Sequence, residues 1–384
     1  MNTFSTKENI TCILSITLIF VSGIVNMTNT LKSIQIPLLL LGVFVAFLGV
    51  IDQRVRILPF YNRIMIWPVL NIATAIVSFF ILNDTQLLVN ALAMLFIFVT
   101  FLMWFTWSRS FINGIDGLMF VLFVIVTMIS LAVVPFSLKN YTGMFYNLNS
   151  LGGIYCCFLT YFIATISSNK NRKGLKIACL IISIFMVVVS SSRGAFVSSA
   201  AVFALWVLLE IYQNGHMSVK RAWMMLVIIF IMAGIYKFTP LHTIIDNSIV
   251  SKFVRKANDT TSGRIDIWRV VWEERTLFGH GRNYFDAFRW GAHNTFVSLL
   301  GQYGIMGAFS YIGLFLTFLM ESFKHFKNNK DYAPLLFVIC FLSLSMIEGM
   351  LMKIHMFLMY YGITCCIRSQ KEAYTGIAWK SKFR

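Results

Sequence analysis

The sequence predicts an all-α integral membrane protein, a polytopic bundle of about twelve transmembrane helices with one large non-cytoplasmic loop. Three observations predict it. The 384 residues are 58% hydrophobic and 12% charged, with a mean hydropathy of +0.76, which leaves too little polar surface for a soluble domain of this size. Apolar runs recur at roughly 18–22 residues, the length a helix needs to cross a hydrocarbon core of about 30 Å. The runs are continuous rather than alternating, which argues against a transmembrane β-barrel.

Taken in order, the first run at 11–27 follows a short polar stretch and lacks a small-residue cleavage site. It reads as a retained span rather than a removed signal peptide. Further spans are expected at 34–51, 64–82, 87–108, 117–135, 149–167, 174–190, 194–213, 222–238, 296–320, 333–350 and 354–368. The connections order them. Arg54, Arg56 and Arg63, then Lys170, Arg172, Lys173 and Lys176, then Lys220 and Arg221, then Lys324, Lys327 and Lys330 alternate onto one side. Lys371, Lys380, Lys382 and Arg384 join them. The positive-inside rule makes that side the cytoplasm and puts both termini there. Most of the net charge of +17 is thereby accounted for by topology and anionic membrane lipid, and no nucleic-acid partner is expected.

The opposite side receives the segment 135–148, the corner 190–194 and a long stretch at 239–292, within a chain read as one membrane domain over 1–384. Long loops are usually functional. Residues 264–275 read as an amphipathic helix, with Ile265, Trp268, Val271 and Trp272 on one face suited to a membrane interface and Ser262 as its N-cap. Gly279-His280-Gly281 then breaks the chain. The seven cysteines lie in apolar runs without CxxC spacing, the pattern of small buried hydrophobes rather than of a metal site or disulfide framework. No Walker loop, GxGxxG, HExxH or GxSxG is present, and no metal or cofactor is expected.

The chemistry-bearing residues cluster on the loop side. Arg193, in Ser190-Ser191-Ser192-Arg193-Gly194, either anchors a helix end in headgroups or presents its planar donor fork to phosphate oxygens, with Ser192 and Gly194 permitting close backbone approach. Arg264 opens the loop helix, where a cation opposes the macrodipole unless an anion offsets it; otherwise it is a solvated loop charge. Arg282 and Arg289 are reserve phosphate ligands because they lie nearest His293; Arg255, Lys256, Arg269 and Arg275 read as solvated or lipid-facing. His293, at the junction of loop and span, either caps an interfacial helix or takes a proton near neutral pH, with Asn294 orienting it or capping the helix. His280 is the rival base. Asp266, Glu273 and Glu274 read as ion pairs, and Gly304 and Gly307 as helix-packing positions. Glu348, the one acid deep in a late span, is functional by default or structural if paired with Lys353 or a hydroxyl.

At these residues the chain resembles the O-antigen ligase and O-antigen (surface polysaccharide) polymerase superfamily. The resemblance rests on Ser191-Ser192-Arg193-Gly194-Ala195, Ser262-Gly263-Arg264-Ile265-Asp266-Ile267-Trp268, Leu277-Phe278-Gly279-His280-Gly281 and Ala292-His293-Asn294-Thr295-Phe296. The four motifs keep the family's order over roughly 185–310, whereas the early spans match in hydrophobicity alone. The resemblance implies a GT-C-like, inverting, metal-independent membrane glycosyltransferase of the bacterial inner membrane whose donor is a glycan on undecaprenyl diphosphate. Arg193 and Arg264 would bind the diphosphate, with Arg282 and Arg289 in reserve; His293 would serve the acceptor hydroxyl; Asn294, Ser192, Gly194, Trp268 and His280 would support them. The acceptor would be a lipid-linked repeat for a polymerase of O-antigen, capsule or exopolysaccharide, or lipid A-core for a ligase in lipopolysaccharide biosynthesis, and a chain-length regulator is a further expected partner. The segments 262–268 and 278–281 look more like the polymerases. A lipid-linked sugar transporter or flippase is the reading from another class; it would call for inverted repeats and broken helices.

Overall fold

The computed structural model describes residues 6–28, 30–50, 61–101, 109–138, 140–166, 172–214, 264–288 and 291–374. Helices overlap each expected span that falls in described residues, with the differences in extent given below; the 222–238 span lies outside them, as do Ser262, Gly263 and Arg289. In order they are α1 (Thr6–Val25), α2 (Gln35–Val50), α3 (Tyr61–Leu82), α4 (Thr85–Val99), α5 (Arg109–Val133), α6 (Leu148–Thr165), α7 (Lys173–Val189), α8 (Arg193–Asn214), α9 (Arg264–Glu273), α10 (Thr295–Asn329), α11 (Ala333–Ser345) and α12 (Ile354–Tyr374). Short 3-10 turns span Lys32–Ile34 and Arg282–Ala287.

Five of the described helices are long and apolar enough to cross a membrane. Their burial differs in a way that sets the layers. α6 is enclosed on every side, whereas α3 and α5 turn Ile66, Phe80, Val121 and Met128 outward as a lipid-facing surface would. Between apolar helices in lipid there is little hydrophobic driving force, so close packing and hydrogen bonds decide the contacts. α6 packs on α7, α8 and α11, and α11 in turn on α10 and α12, with α1 against α2 and α3 against α4 and α10. Stacked and edge-on rings of Tyr161, Phe337 and Tyr361 and of Phe98, Phe318 and Tyr360 fill the centre.

Helix ends are capped where the sequence supplies short polar side chains. Asp84 accepts from the amides of Gln86 and Leu87, Asn147 from Ser150, and Asn294 from Phe296 and Val297. At the far ends of α6 and α10, two of the cations read from the sequence as loop charges find acidic partners. Lys176 meets Asp116 at 2.8 Å and the Thr165 carbonyl at 3.2 Å, and Glu321 meets Lys324 at 2.8 Å.

Three expectations are corrected. The run at 296–320 is two helical segments broken at Gly304, and the second continues to Asn329. Its φ of +74° is left-handed, so the ladder is interrupted there. The loop at 276–281 repairs it: Gly301 and Gln302 carbonyls accept from the amides of His280 and Gly281, and the amides of Ile305 and Met306 donate to Thr276 and Leu277. Gly279 sits against this break so closely that a Cβ on it would lie 2.2 Å from the Gln302 oxygen. Second, the span at 333–350 ends at Ser345, so Glu348 lies in the non-helical connection 346–353 and not within a span. Third, α9 buries Ile267 and Val271, while Ile265 and Trp272 are exposed; the inner face is 264, 267, 268 and 271, shifted from the one the pattern indicated.

Candidate functional site

Several connections meet at one end of the bundle. The Tyr141 amide donates to the Val189 carbonyl, the Tyr146 amide to Met27, and the Asn26 side chain to Met352, which ties 134–147, 190–192, the α1–α2 turn and 346–353 together. The segment after α9 joins them through Trp268, whose indole N–H donates to the Ala292 carbonyl at 2.9 Å. These connections carry most of the residues singled out in the sequence.

Glu348 is the hub. Its side chain is 9% exposed, and three groups from separate elements converge on it. His293 Nδ1 lies 3.2 Å from both carboxylate oxygens, Arg264 Nη2 lies 3.8 Å from Oε1, and Asn149 at the start of α6 donates its side-chain amide to Oε1. Arg264 also donates to the Ile347 carbonyl at 3.2 Å. The turn that carries Glu348 is held by Thr295, whose hydroxyl donates to the Glu348 carbonyl and accepts from the Met350 amide, and by Asn294, whose side chain donates to the Met346 carbonyl. Asn294 therefore does two jobs, capping α10 and pinning the neighbouring turn.

The electrostatics follow from this geometry. Burial pushes the Glu348 carboxyl up, but the hydrogen bond from His293 and the charges of His293, Lys353 and Arg264 outweigh it and leave it below the ordinary carboxylate value. Burial lowers the Arg264 guanidinium, with Glu348 opposing and the like charge of Arg193 adding to the shift. Arg193 opens α8 and is half-buried, and its charge is thus felt at Arg264. Ser192, from the same corner, donates its hydroxyl to Asn149 Oδ1 at 2.9 Å and accepts from the Ala195 amide. Gly194 lets this corner approach the 346–353 connection, because a Cβ there would lie 2.5 Å from the Ile347 side chain.

An ionised carboxylate only accepts hydrogen bonds, so the His293 nitrogen facing Glu348, Nδ1, carries the hydrogen. In its uncharged form the ring then has its lone pair on Nε2, the tautomer a general base requires. His293 adopts a left-handed backbone, φ +46°, a conformation that costs a non-glycine residue about 1–3 kcal/mol and is held here by the Trp268–Ala292 bond on one side and the Asn294 cap on the other. The imidazole, 28% exposed at its side chain, opens onto a cleft of about 290 Å³.

The remaining candidates lie elsewhere. His280 stacks on Tyr284 at 4.7 Å and its Nε2 pairs with the Glu274 carbonyl, so its ring belongs to the docked loop. Tyr284 also donates to Glu274 at 2.6 Å, and Asp266 pairs with Arg269 on the exposed side of α9. The Arg282 amide is held by Asp84 at 2.6 Å and its side chain is exposed. Arg289 lies outside the described residues. Asn149 and Tyr146 were not singled out in the sequence. A polar Asn in the first turn of an apolar span was the available signal for the first; nothing local marked the second. Lys353, weighed as the partner of Glu348, contributes charge to it while His293, Arg264 and Asn149 make the contacts.

The family model described as O-Antigen ligase matches residues 178–312, the stretch that contains all four motifs. It spans Arg193, Arg264 and His293, and stops short of Glu348. No curated protein matches the chain. Residues 178–312 are thus similar to the O-Antigen ligase family, in agreement with the superfamily that the four motifs resemble.

Proposed function

We propose that this chain is an inverting membrane glycosyltransferase that polymerises undecaprenyl-diphosphate-linked oligosaccharide repeats on the outer face of the bacterial inner membrane. The single observation that carries the reading is the gathering of Arg264 and His293 on Glu348, with the charge of Arg193 beside them, in a chain whose 178–312 stretch matches the O-Antigen ligase family. In the reaction the acceptor hydroxyl oxygen attacks the anomeric carbon of the donor glycan. Its proton passes to His293 Nε2, the bond from the anomeric carbon to the diphosphate oxygen breaks, and the electron pair leaves with the diphosphate. Arg193 and Arg264 take up the charge that develops on the leaving group, where preorganised cations lower the barrier most. Glu348 holds the imidazole in the reactive tautomer and stabilises it once protonated. The turn at 291–294, steadied by α9, keeps acceptor and donor within reach of one another.

The description of the matching family favours a second reading, a ligase that delivers the glycan to lipid A-core. The test is reconstitution of the full chain with an undecaprenyl-diphosphate oligosaccharide, with and without lipid A-core. Chain growth without core supports the polymerase; product that forms only with core makes it a ligase. Leaflet exchange without any product would overturn both in favour of transport. The broken helix that transport calls for is present at Gly304, but loop backbone, not a cavity, takes up its freed hydrogen-bonding groups.

A further inference from the structure

The cleft beside His293 has a second cationic wall that the donor chemistry leaves unused. Lys353 is buried to 7% exposure in the 346–353 connection, and Lys32 stands exposed on the 3-10 turn after α1; both line the cleft. Among the described residues the Lys353 ammonium makes one hydrogen bond, a long one of 3.4 Å to the Tyr146 hydroxyl. An ammonium has three donors, and the place of Lys353 in the cleft wall leaves two of them for acceptors that occupy the cleft. Glu348 feels the Lys353 charge, but its contacts among the described residues are with Asn149, His293 and Arg264. Arg264 approaches that carboxylate from the Ile347 side and is not part of the cleft wall. The rest of the wall suits a sugar: the rings of Tyr146 and Phe285 offer apolar faces, and Asn26 and Gln302, whose amide nitrogens already donate to the Met352 and Arg282 carbonyls, keep a second N–H and an amide oxygen for hydroxyls.

We infer that this cleft is the acceptor subsite and that it takes an acceptor glycan bearing an oxyanion, which Lys353 binds and Lys32 attracts. The inference rests on the glycosyltransferase reading and deepens it: donor diphosphate and acceptor anion would occupy separate cationic walls on either side of the His293–Glu348 pair. The anion is a carboxylate or a phosphate, borne either by the acceptor's sugars or by its own lipid diphosphate.

The test is direct binding to the full chain in nanodiscs, with three soluble probes: a glucuronate-terminated disaccharide, its neutral methyl ester, and inorganic pyrophosphate. The wild-type chain is expected to bind at least one anionic probe about tenfold or more tightly than the ester, and Lys353→Gln to lose that preference while Lys353→Arg keeps it. Loss confined to glucuronate puts the anion on the sugar; loss confined to pyrophosphate puts it on the lipid diphosphate. Lys32→Gln, at an exposed position, is expected to weaken the same probe in the same direction, which keeps the test decisive if Lys353→Gln does not fold. Wild-type chain that binds neither anion, or Lys353 and Lys32 variants that bind both as wild type does, would overturn the inference. A chain that binds the anion through Lys353 yet transfers no glycan keeps the anion site and removes the transferase reading.

Discussion

At Glu348 a carboxylate shielded from solvent accepts from an amide and an imidazole and pairs with a guanidinium at 3.8 Å, the three arriving from separate elements. Removing the carboxylate deprives Arg264 and His293, each about a quarter exposed, of their shared acceptor, whereas removing a cation leaves the buried carboxylate short of a partner, which costs up to about 3–5 kcal/mol. Glu348→Gln keeps the shape and removes the charge, and its amide presents donors where Arg264 and His293 need an acceptor. The expected outcome is a fall in glycan transfer of about 100-fold, read in the reconstituted assay, with protein still folded. The pH dependence follows from the sign of the shift. Because its partners hold the folded-state pKa of Glu348 below the unfolded value, their contribution to stability is complete above about pH 4.3 and disappears as pH falls through the lowered value. Thermal unfolding should therefore show a wild-type advantage over Glu348→Gln at neutral pH that narrows on acidification. An advantage that widened would contradict the ion pair. His293→Ala is expected to abolish transfer while leaving the protein in the membrane; unchanged product lengths would refute its role as base.

At the scale of elements, the decisive contact joins a broken helix and a loop. Gly304 and Gly279 both have positive φ, and each sits where a Cβ would strike the other's backbone neighbourhood at 2.2 Å. Neither backbone can shift without surrendering the four hydrogen bonds that close the α10 break. Gly304→Ala or Gly279→Ala should each cost more than about 1–3 kcal/mol and release the 276–281 loop, seen as faster proteolysis there. Since the two substitutions break one joint, their combined cost should fall well short of the sum. Additive costs would mean that the loop and the helix are held independently.

For the whole molecule, the reading depends on which side of the membrane the site end faces. Lys173 and Lys176 at the start of α7 and Lys324 and Lys327 at the end of α10 lie at the helix ends away from the site, and the positive-inside rule predicts that end to be cytoplasmic. Trp272 is exposed on α9, and the described cysteines are buried or half-buried, so a Trp272→Cys variant offers a clean reporter. A membrane-impermeant maleimide should label it from the periplasmic side and leave Lys327→Cys unlabelled until the inner membrane is opened. The reverse pattern would put the site in the cytosol, where the proposed donor face is absent.

The sequence by itself determined the helical class and the approximate place of most of the described apolar helices, because hydropathy is local and additive along the chain. It also showed the four motifs, since each is contiguous. The hub could not be read this way. Glu348 lies 55 residues from His293 and 199 from Asn149, and it passed for part of a span because Met346, Ile347 and Met350 extend the apolar run that α11 leaves at Ser345. The break at Gly304 was equally hidden, for a glycine in an apolar helix is compatible with close packing or with a left-handed turn. Only the tertiary structure decided between them, because the hydrogen bonds that make the break tolerable come from a loop more than twenty residues upstream.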